Sequence, residues 1–210
     1  MPISHRHRAL LVHVPKTGGT CILRTLFRDV TRLPGQCAHP HLSEIIKQGG
    51  AQLSDYFKFA FVRNPWDRLV SAYHHILEKR RDYQPLLRPY ASFTEFARAL
   101  ADKPERFAAI VHLRAQTDFL DGSGPLGGVD FLGRFESFRQ DFYYVLRQVG
   151  KSPPLVRRRN ASRHADYRSF YDTRTREAVG SLYINDCRRF DYDFDRGCQP
   201  NWIQRLRRAA

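Results

Sequence analysis

Apolar residues along this chain fall in short runs and helical stripes that alternate through its first two thirds. Residues 9–14, Ala-Leu-Leu-Val-His-Val, have the length and composition of a buried strand and are punctuated by Pro15, Gly18 and Gly19. From Thr20 the apolar residues Ile22, Leu23, Leu26, Phe27 and Val30 recur at helical spacing until Pro34 and Gly35 interrupt them. The strand-then-helix order comes again at residues 57–62, followed by Arg63-Asn64-Pro65. Asn64 there suits an N-cap and Pro65 the first helical position, and Leu69, Val70, Tyr73, Ile76 and Leu77 supply the stripe. Ser92-Phe-Thr-Glu95 is a capping-box pattern ahead of Phe93, Phe96, Ala97 and Leu100. After a glycine-rich loop at 121–128, residues 129–135 read as a strand, and Phe138, Phe142, Val145, Leu146 and Val149 as a helix. A Pro- and Arg-rich connection covers 150–165, and Ala178, Val179, Leu182 and Tyr183 mark a last helix.

Strands separated by helical segments predict the α/β class, a parallel sheet with crossover helices and a helix-rich C-terminal half. The 210 residues fit a single domain, 1–210, with a basic arm at 1–8 and a basic tail at 201–210. A hydrophobic content of 42% with 13% aromatics excludes intrinsic disorder. No apolar run approaches the roughly 18 residues that a membrane-spanning helix needs. Cys21, Cys37, Cys187 and Cys198 have no CxxC spacing, so neither a zinc site nor a dense disulfide framework is expected. That usage fits a reducing compartment and leaves open only a bridge between Cys187 and Cys198.

Charge changes the picture more. Thirty-five Lys and Arg against 21 Asp and Glu give +14, which calls for an anionic partner: nucleic acid, a membrane surface, a phosphorylated cofactor or an acidic polysaccharide.

Two segments suit phosphate. In His13-Val-Pro-Lys-Thr-Gly-Gly-Thr-Cys21, between strand and helix, glycines let backbone amides close around an anion. The helix N-terminus adds partial positive charge, and Lys16 and Thr20 add a cation and a hydroxyl. A Walker A loop has its lysine after the glycines, whereas Lys16 precedes Gly18 and Gly19, so ATP with magnesium fits poorly. In the second segment Arg63 ends a strand, where a side chain reaches a ligand across the carboxyl edge of a parallel sheet. Ser71, two turns into the next helix, adds a hydroxyl. The bland reading pairs Arg63 with a carboxylate and leaves Trp66 as packing.

Pro15-Lys-Thr-Gly-Gly-Thr20 resembles the 5′-phosphosulfate loop of sulfotransferases. Phe61-Val-Arg-Asn-Pro-Trp-Asp-Arg-Leu-Val-Ser-Ala-Tyr73 resembles their 3′-phosphate element, in the form found in carbohydrate sulfotransferases of the Golgi and small bacterial relatives. The resemblance continues through Phe131-Leu-Gly-Arg-Phe-Glu136 with Asp141, Asn160-Ala-Ser162, Leu182-Tyr183, Asp186 and Phe190-Asp-Tyr192. It implies a P-loop-like α/β fold and sulfuryl transfer from 3′-phosphoadenosine 5′-phosphosulfate to a carbohydrate hydroxyl by in-line displacement, without a metal. Lys16, Thr17, Gly18, Gly19, Thr20 and Cys21 would then hold the 5′ side, and Arg63 and Ser71 the 3′-phosphate. Asn160 and Ser162 match a family segment near the nucleotide. Cys21 departs from the serine usual in the family, and a thiol is a weak donor.

An acceptor hydroxyl must lose a proton, and histidine is the usual agent near neutral pH. His5 and His7 lie on the basic arm, His13 in the first strand, His74 and His75 behind the second phosphate element, and His164 in the basic connection. In the family resembled, a histidine between the two phosphate elements is the base; His41 is the first choice, with His39 behind it. His112, in His112-Leu-Arg-Ala-Gln116, resembles a His-x-x-x-Gln pattern and reads as acceptor-side or structural. Lys79-Arg-Arg81, Arg157-Arg-Arg159 and Arg205 to Arg208 suit an anionic glycan or are solvated surface. Acceptor choice is expected in loops 84–90 and 121–128. Two other readings stand beside this one: a P-loop nucleotide kinase, disfavoured by the lysine's position, and a nucleic-acid-binding protein, which lacks a recognisable reading motif. No nucleic-acid partner is expected. The expected location is the bacterial cytoplasm, a trimmed Golgi-type chain being the alternative.

Overall fold

A computed structural model describes residues 3–27, 39–49, 51–122, 128–152, 166–195 and 197–198. Its strands are β1 (Ile3–Ser4), β2 (Ala9–Val12), β3 (Phe57–Val62), β4 (Phe131–Arg134), β5 (Tyr192–Asp193) and β6 (Gly197–Cys198). Its helices are α1 (Gly19–Leu26), α2 (Leu42–Gly49), α3 (Pro65–Lys79), α4 (Gln84–Leu87), α5 (Phe93–Asp102), α6 (Phe138–Gln148), α7 (Thr173–Leu182) and α8 (Ile184–Phe190). They group into two compact units, one of residues 1–62, 116–159 and 201–210, the other of 63–115 and 160–200.

The first unit is built on a sheet of order β1-β2-β3-β4. β2, β3 and β4 are parallel, as the alternation of strands and helices predicts, with Leu11 beside Phe59 and Phe59 beside Phe131. Every residue of β2 and β4 is buried; β2 has the continuous apolar signature of a strand covered on both faces, while β4 ends in the buried Arg134. On one face Ala9, Leu11, Phe59, Phe61 and Phe131 pack with Ile22 and Leu26 of α1 and Phe142, Val145 and Leu146 of α6. Each fully buried Phe there is worth about 1.5–3 kcal/mol. Gly133 in β4 is required by this packing, because a Cβ at that position would come within 2.5 Å of the Phe61 ring.

Two details differ from the expectation. Residues 1–8, expected as a basic arm, include β1, which folds back antiparallel on β2; Arg8 takes the positive φ of 44° that the tight return needs. His5 Nδ1 lies 2.8 Å from the Tyr56 hydroxyl. The first strand ends at Val12, because Val14 N–H turns back to the Val12 carbonyl (3.1 Å) and takes His13 and Val14 out of the ladder.

The second unit is mostly helical. Trp66, Tyr73, Phe93, Phe96, Phe107, Val179, Tyr183 and Phe194 form its core. Trp66 Nε1 donates to the Arg176 carbonyl (2.9 Å), and Gly180 of α7 leaves room for the indole, since a Cβ there would lie 3.0 Å from it. The helix expected from Ala178, Val179, Leu182 and Tyr183 is α7, and a further helix, α8, follows it. Residues 84–90, expected as an acceptor loop, contain α4, whose Leu87 is buried, while Tyr90 rings against Phe96 and Phe107. Cys187, half of the bridge left open from sequence, is a free thiol whose pKa burial pushes up to about 12.

Both predicted helix starts hold. Ser92 Oγ accepts from Glu95 N–H at 3.2 Å, and the Glu95 carboxylate reaches back to Ala91 N–H at 2.9 Å. Asn64 Oδ1 accepts from Trp66 and Asp67 N–H (3.0 and 3.4 Å), and its Nδ2 donates to the Asp193 carbonyl (3.1 Å). Replacing a cap of this kind costs about 1–2 kcal/mol. Asn64→Ala is therefore expected to lower the thermal midpoint by about 2–8 °C in a calorimetric scan; an unchanged midpoint would deny the cap this role.

Candidate active site

In the first unit, residues 13–19 run from the end of β2 to the start of α1. Lys16 has a φ of 70° and Gly18 one of 90°. A left-handed conformation costs a residue with a Cβ about 1–2 kcal/mol, so the turn is held by its surroundings. Thr17, 2% exposed, donates its hydroxyl to the Val14 carbonyl at 2.8 Å and closes the loop on itself. That hydroxyl thus shapes the turn. A Cβ on Gly18 would meet the Phe138 ring at 2.5 Å, and one on Gly19 would meet His13 Nε2 at 1.9 Å. The loop is clasped between these rings and tolerates glycine alone at both positions.

The turn delivers the chain to the N-terminus of α1, where Gly18 is the N-cap and makes no side-chain hydrogen bond. The first turns of a helix leave N–H groups without intrahelical partners. With the helix dipole and Lys16, half-buried in the turn, this end has the donor set of an anion cradle. Thr20 is exposed on the first turn. Cys21 is half-buried against the aromatic core, its carbonyl accepts from Thr25 Oγ1 at 2.8 Å, and burial raises its thiol pKa.

Three histidines gather beside this loop in the same unit. The His13 ring lies 4.4 Å from that of His39, whose Nδ1 is 2.8 Å from the His13 carbonyl. His41 stacks on Phe119 at 5.9 Å, with Nδ1 2.5 Å from the Asp118 carbonyl and 4.0 Å from Asp121 Oδ2. A carbonyl only accepts, so this network assigns the proton of neutral His41 to Nδ1 and leaves Nε2 with the lone pair a base needs. The Asp121 carboxylate also takes Ser43 N–H (2.9 Å) and the Ser43 hydroxyl, capping α2, while Glu44 Oε2 accepts from His41 N–H at 3.0 Å. Asp118 and Phe119 were not singled out from sequence, and Asp121 only as the start of the loop 121–128. Nothing in their spacing marks them, because they act across 77 and 78 residues of chain.

In the second unit, Arg63 is 4% exposed and gives Nε and Nη2 to the two carboxylate oxygens of Asp67, both at 2.8 Å. The carboxylate pairing foreseen as the bland reading is present. It uses two of the five N–H donors of a guanidinium and fixes its plane. Asp67 was missed, although its four-residue spacing on a helix start is a legible signal. Ser71 is buried on α3. Arg68, 1% exposed on the same helix, donates to the carbonyls of His112 (3.1 Å) and Arg114 (2.6 Å) and lies over the Tyr183 ring. His112 is buried, its ring 5.0 Å from that of His75. Arg80 of the 79–81 cluster pairs with Asp82 at 2.6 Å. Asn160, Ser162, His164, Arg157 to Arg159 and Arg205 to Arg208 lie outside the described residues.

The profile described as the sulfotransferase family matches residues 1–193. The chain belongs to the sulfotransferase family. Among its curated relatives, carbohydrate sulfotransferase 10 of Xenopus laevis is 25% identical over 90% of the chain and 66% of its own length. Carbohydrate sulfotransferase 9 of Homo sapiens is 25% identical over 91% of the chain and 50% of its own length. Carbohydrate sulfotransferase 14 of Mus musculus is 28% identical over 74% and 47%. The chain thus spans about half to two thirds of the length of these relatives. No solved structure matches it.

The clasp around Gly19 makes a direct test of the loop. Gly19→Ala is expected to weaken binding of adenosine 3′,5′-bisphosphate at least tenfold by titration calorimetry. His13→Ala in that background should restore part of the loss by removing the ring that the new methyl strikes, a coupling expected of residues in contact. Equal affinity for wild type and Gly19→Ala would mean that the loop does not bind the nucleotide.

Proposed function

We propose that this protein is a sulfotransferase that moves a sulfuryl group from 3′-phosphoadenosine 5′-phosphosulfate to a hydroxyl of a carbohydrate. The observation that carries the reading is the loop of residues 13–19, with its left-handed Lys16, two glycines that cannot bear a Cβ and an uncapped helix behind them. Those features fit an anionic ester group, the chemistry of the donor's 5′ side. When bound, the donor supplies the sulfuryl group.

Each residue then has a role its surroundings support. Lys16 and the backbone N–H groups of Thr17, Gly18, Gly19 and Thr20 stabilise the charge that grows on the departing phosphate, which is where preorganised donors act most. Arg63, its plane fixed by Asp67, and Ser71 serve the 3′-phosphate and separate this donor from ATP. His41 takes the proton of the attacking hydroxyl at Nε2, while its Nδ1–H stays on the Asp118 carbonyl. The nearby Asp121 carboxylate has the sign of charge that the protonated ring needs. No metal is required by this scheme. The carbohydrate acceptor is inferred from the names of the relatives, and the +14 charge favours an anionic glycan among carbohydrates. A cytoplasmic location is proposed on the cysteine usage.

A thermal-shift panel separates this reading from a kinase or a nucleic-acid binder. Adenosine 3′,5′-bisphosphate at a hundred times its Kd is expected to add about 2.7 kcal/mol, or roughly 5–10 °C for a chain of this size, with little effect from magnesium ATP or an oligonucleotide. Stabilisation by either of those and none by the bisphosphate rejects the proposal. Cys21→Ser, which returns the usual family residue, should leave turnover in a labelled-donor assay unchanged or higher; a large loss would show that the thiol itself is needed.

A further inference from the structure

We propose that His39 is a positioning residue: its Nδ1–H ties the segment carrying the base to the root of the phosphate loop, and it does not itself take the acceptor's proton. The inference rests on the sulfotransferase reading and assigns the first histidine of the His39-Pro-His41 pair a task distinct from that of the second.

The argument begins with the acceptor of the His39 hydrogen bond. Nδ1 stands 2.8 Å from the backbone carbonyl of His13, and a carbonyl can only accept, so the bond exists only while Nδ1 carries a proton. His13 is the first residue past β2, and its own ring lies against Gly19, at the far end of the loop. The His39 ring is 4.4 Å from that ring on one side and meets the edge of Phe119 at 6.5 Å on the other. Phe119 in turn carries the His41 ring, whose Nδ1 is held by Asp118. Residues 39–41 are thus fastened at one end to the phosphate loop and at the other to the turn 116–121. Between the two fastenings sits Pro40, buried and fixed in φ, which keeps the spacing rigid. A chain pinned this way sets the distance from the base to the loop that would hold the donor. Misplacement by about 1 Å is enough to cost about a hundredfold in rate.

Amide side chains distinguish the two roles. The amide nitrogen of Asn falls near the Nδ1 position of a histidine and can donate to the His13 carbonyl; that of Gln falls near Nε2; neither has a lone-pair nitrogen that can act as a base. If His39 positions, His39→Ala and His39→Gln should lower kcat by up to about a hundredfold, and His39→Asn should recover much of that loss. The Kd for adenosine 3′,5′-bisphosphate should change little in all three. Equal loss in Ala, Gln and Asn would assign His39 to proton transfer and overturn the proposal, as would full activity in His39→Ala. A readout free of turnover is long-range proton–nitrogen NMR of the imidazole rings of the wild-type protein, with His39→Asn used for assignment. The Nδ1–H tautomer is expected for His39, and the Nε2–H tautomer overturns the proposal. If instead the wild-type protein binds no bisphosphate, it is the sulfotransferase reading that fails, and the NMR result still reports on the His39 bond.

Discussion

The contact between the His13 imidazole and the backbone of Gly19 is the constraint on which the rest of the site depends. It lets a strand end, a reversing loop and a helix start occupy one small volume, and it does so only because position 19 has no side chain. Holding Lys16 left-handed costs about 1–2 kcal/mol. The buried bond from the Thr17 hydroxyl to Val14 returns about 0.5–1.5 kcal/mol, and packing of Phe138 against Gly18 contributes further. These terms are of equal size, so the loop's shape is affordable yet depends on every member of the clasp. The same histidine backbone receives His39, so the shape of the loop and the place of the base segment have a common origin.

Electrostatics divides the arginines into two kinds. The pairs Arg98 with Asp172, Arg168 with Asp166 and Arg176 with Asp195 join side chains that are 41% to 62% exposed. Exposed pairs contribute at most about 1 kcal/mol each and leave the net charge untouched. Arg63 and Asp67 differ: their side chains are 5% and 18% exposed, and the contact is two-pronged. Burial makes such a pair a poor source of stability and a good source of orientation. Its effect is to hold the guanidinium in one fixed plane, which the proposed contact with a phosphate would use. The excess of positive charge over the whole chain is unaffected by this pairing, and an anionic partner is still what it calls for.

Most of the fold and the strand-loop-helix at residues 9–26 could be read from sequence because both rest on local rules. Strand positions, the glycine pair, the Asn64 and Ser92 caps and the stripe of α3 are visible within a dozen residues, and each appears where the pattern predicts, although β2 and β4 are shorter than their apolar runs. What escaped depends on distance along the chain. The return of β1 onto β2 follows from a backbone reversal at Arg8 that no turn residue announces. The packing of 84–90 follows from an aromatic core to which Tyr90 contributes one ring among many. The partners of His41 come from a turn nearly 80 residues away. Sequence therefore marks which residue types can do chemistry, while the carbonyls and carboxylates that fix their tautomer and direction are found only in three dimensions.

The order of lysine and glycine in the loop has a physical meaning beyond excluding a Walker A motif. A lysine after the glycines sits on the first turn of the helix with ordinary backbone angles, and its side chain travels with the helix. Lys16 lies within the turn itself, at a backbone angle that the chain would relax if the Thr17 bond or the flanking rings were absent. Its charge is thereby tied to the same backbone whose N–H groups would face a bound anion. Stabilisation of a developing charge is greatest when the donors need no rearrangement as the charge appears. A loop that holds its cation by backbone strain, closed by a buried hydroxyl and clasped between two aromatic rings, meets that condition with no demand on a mobile side chain beyond Lys16.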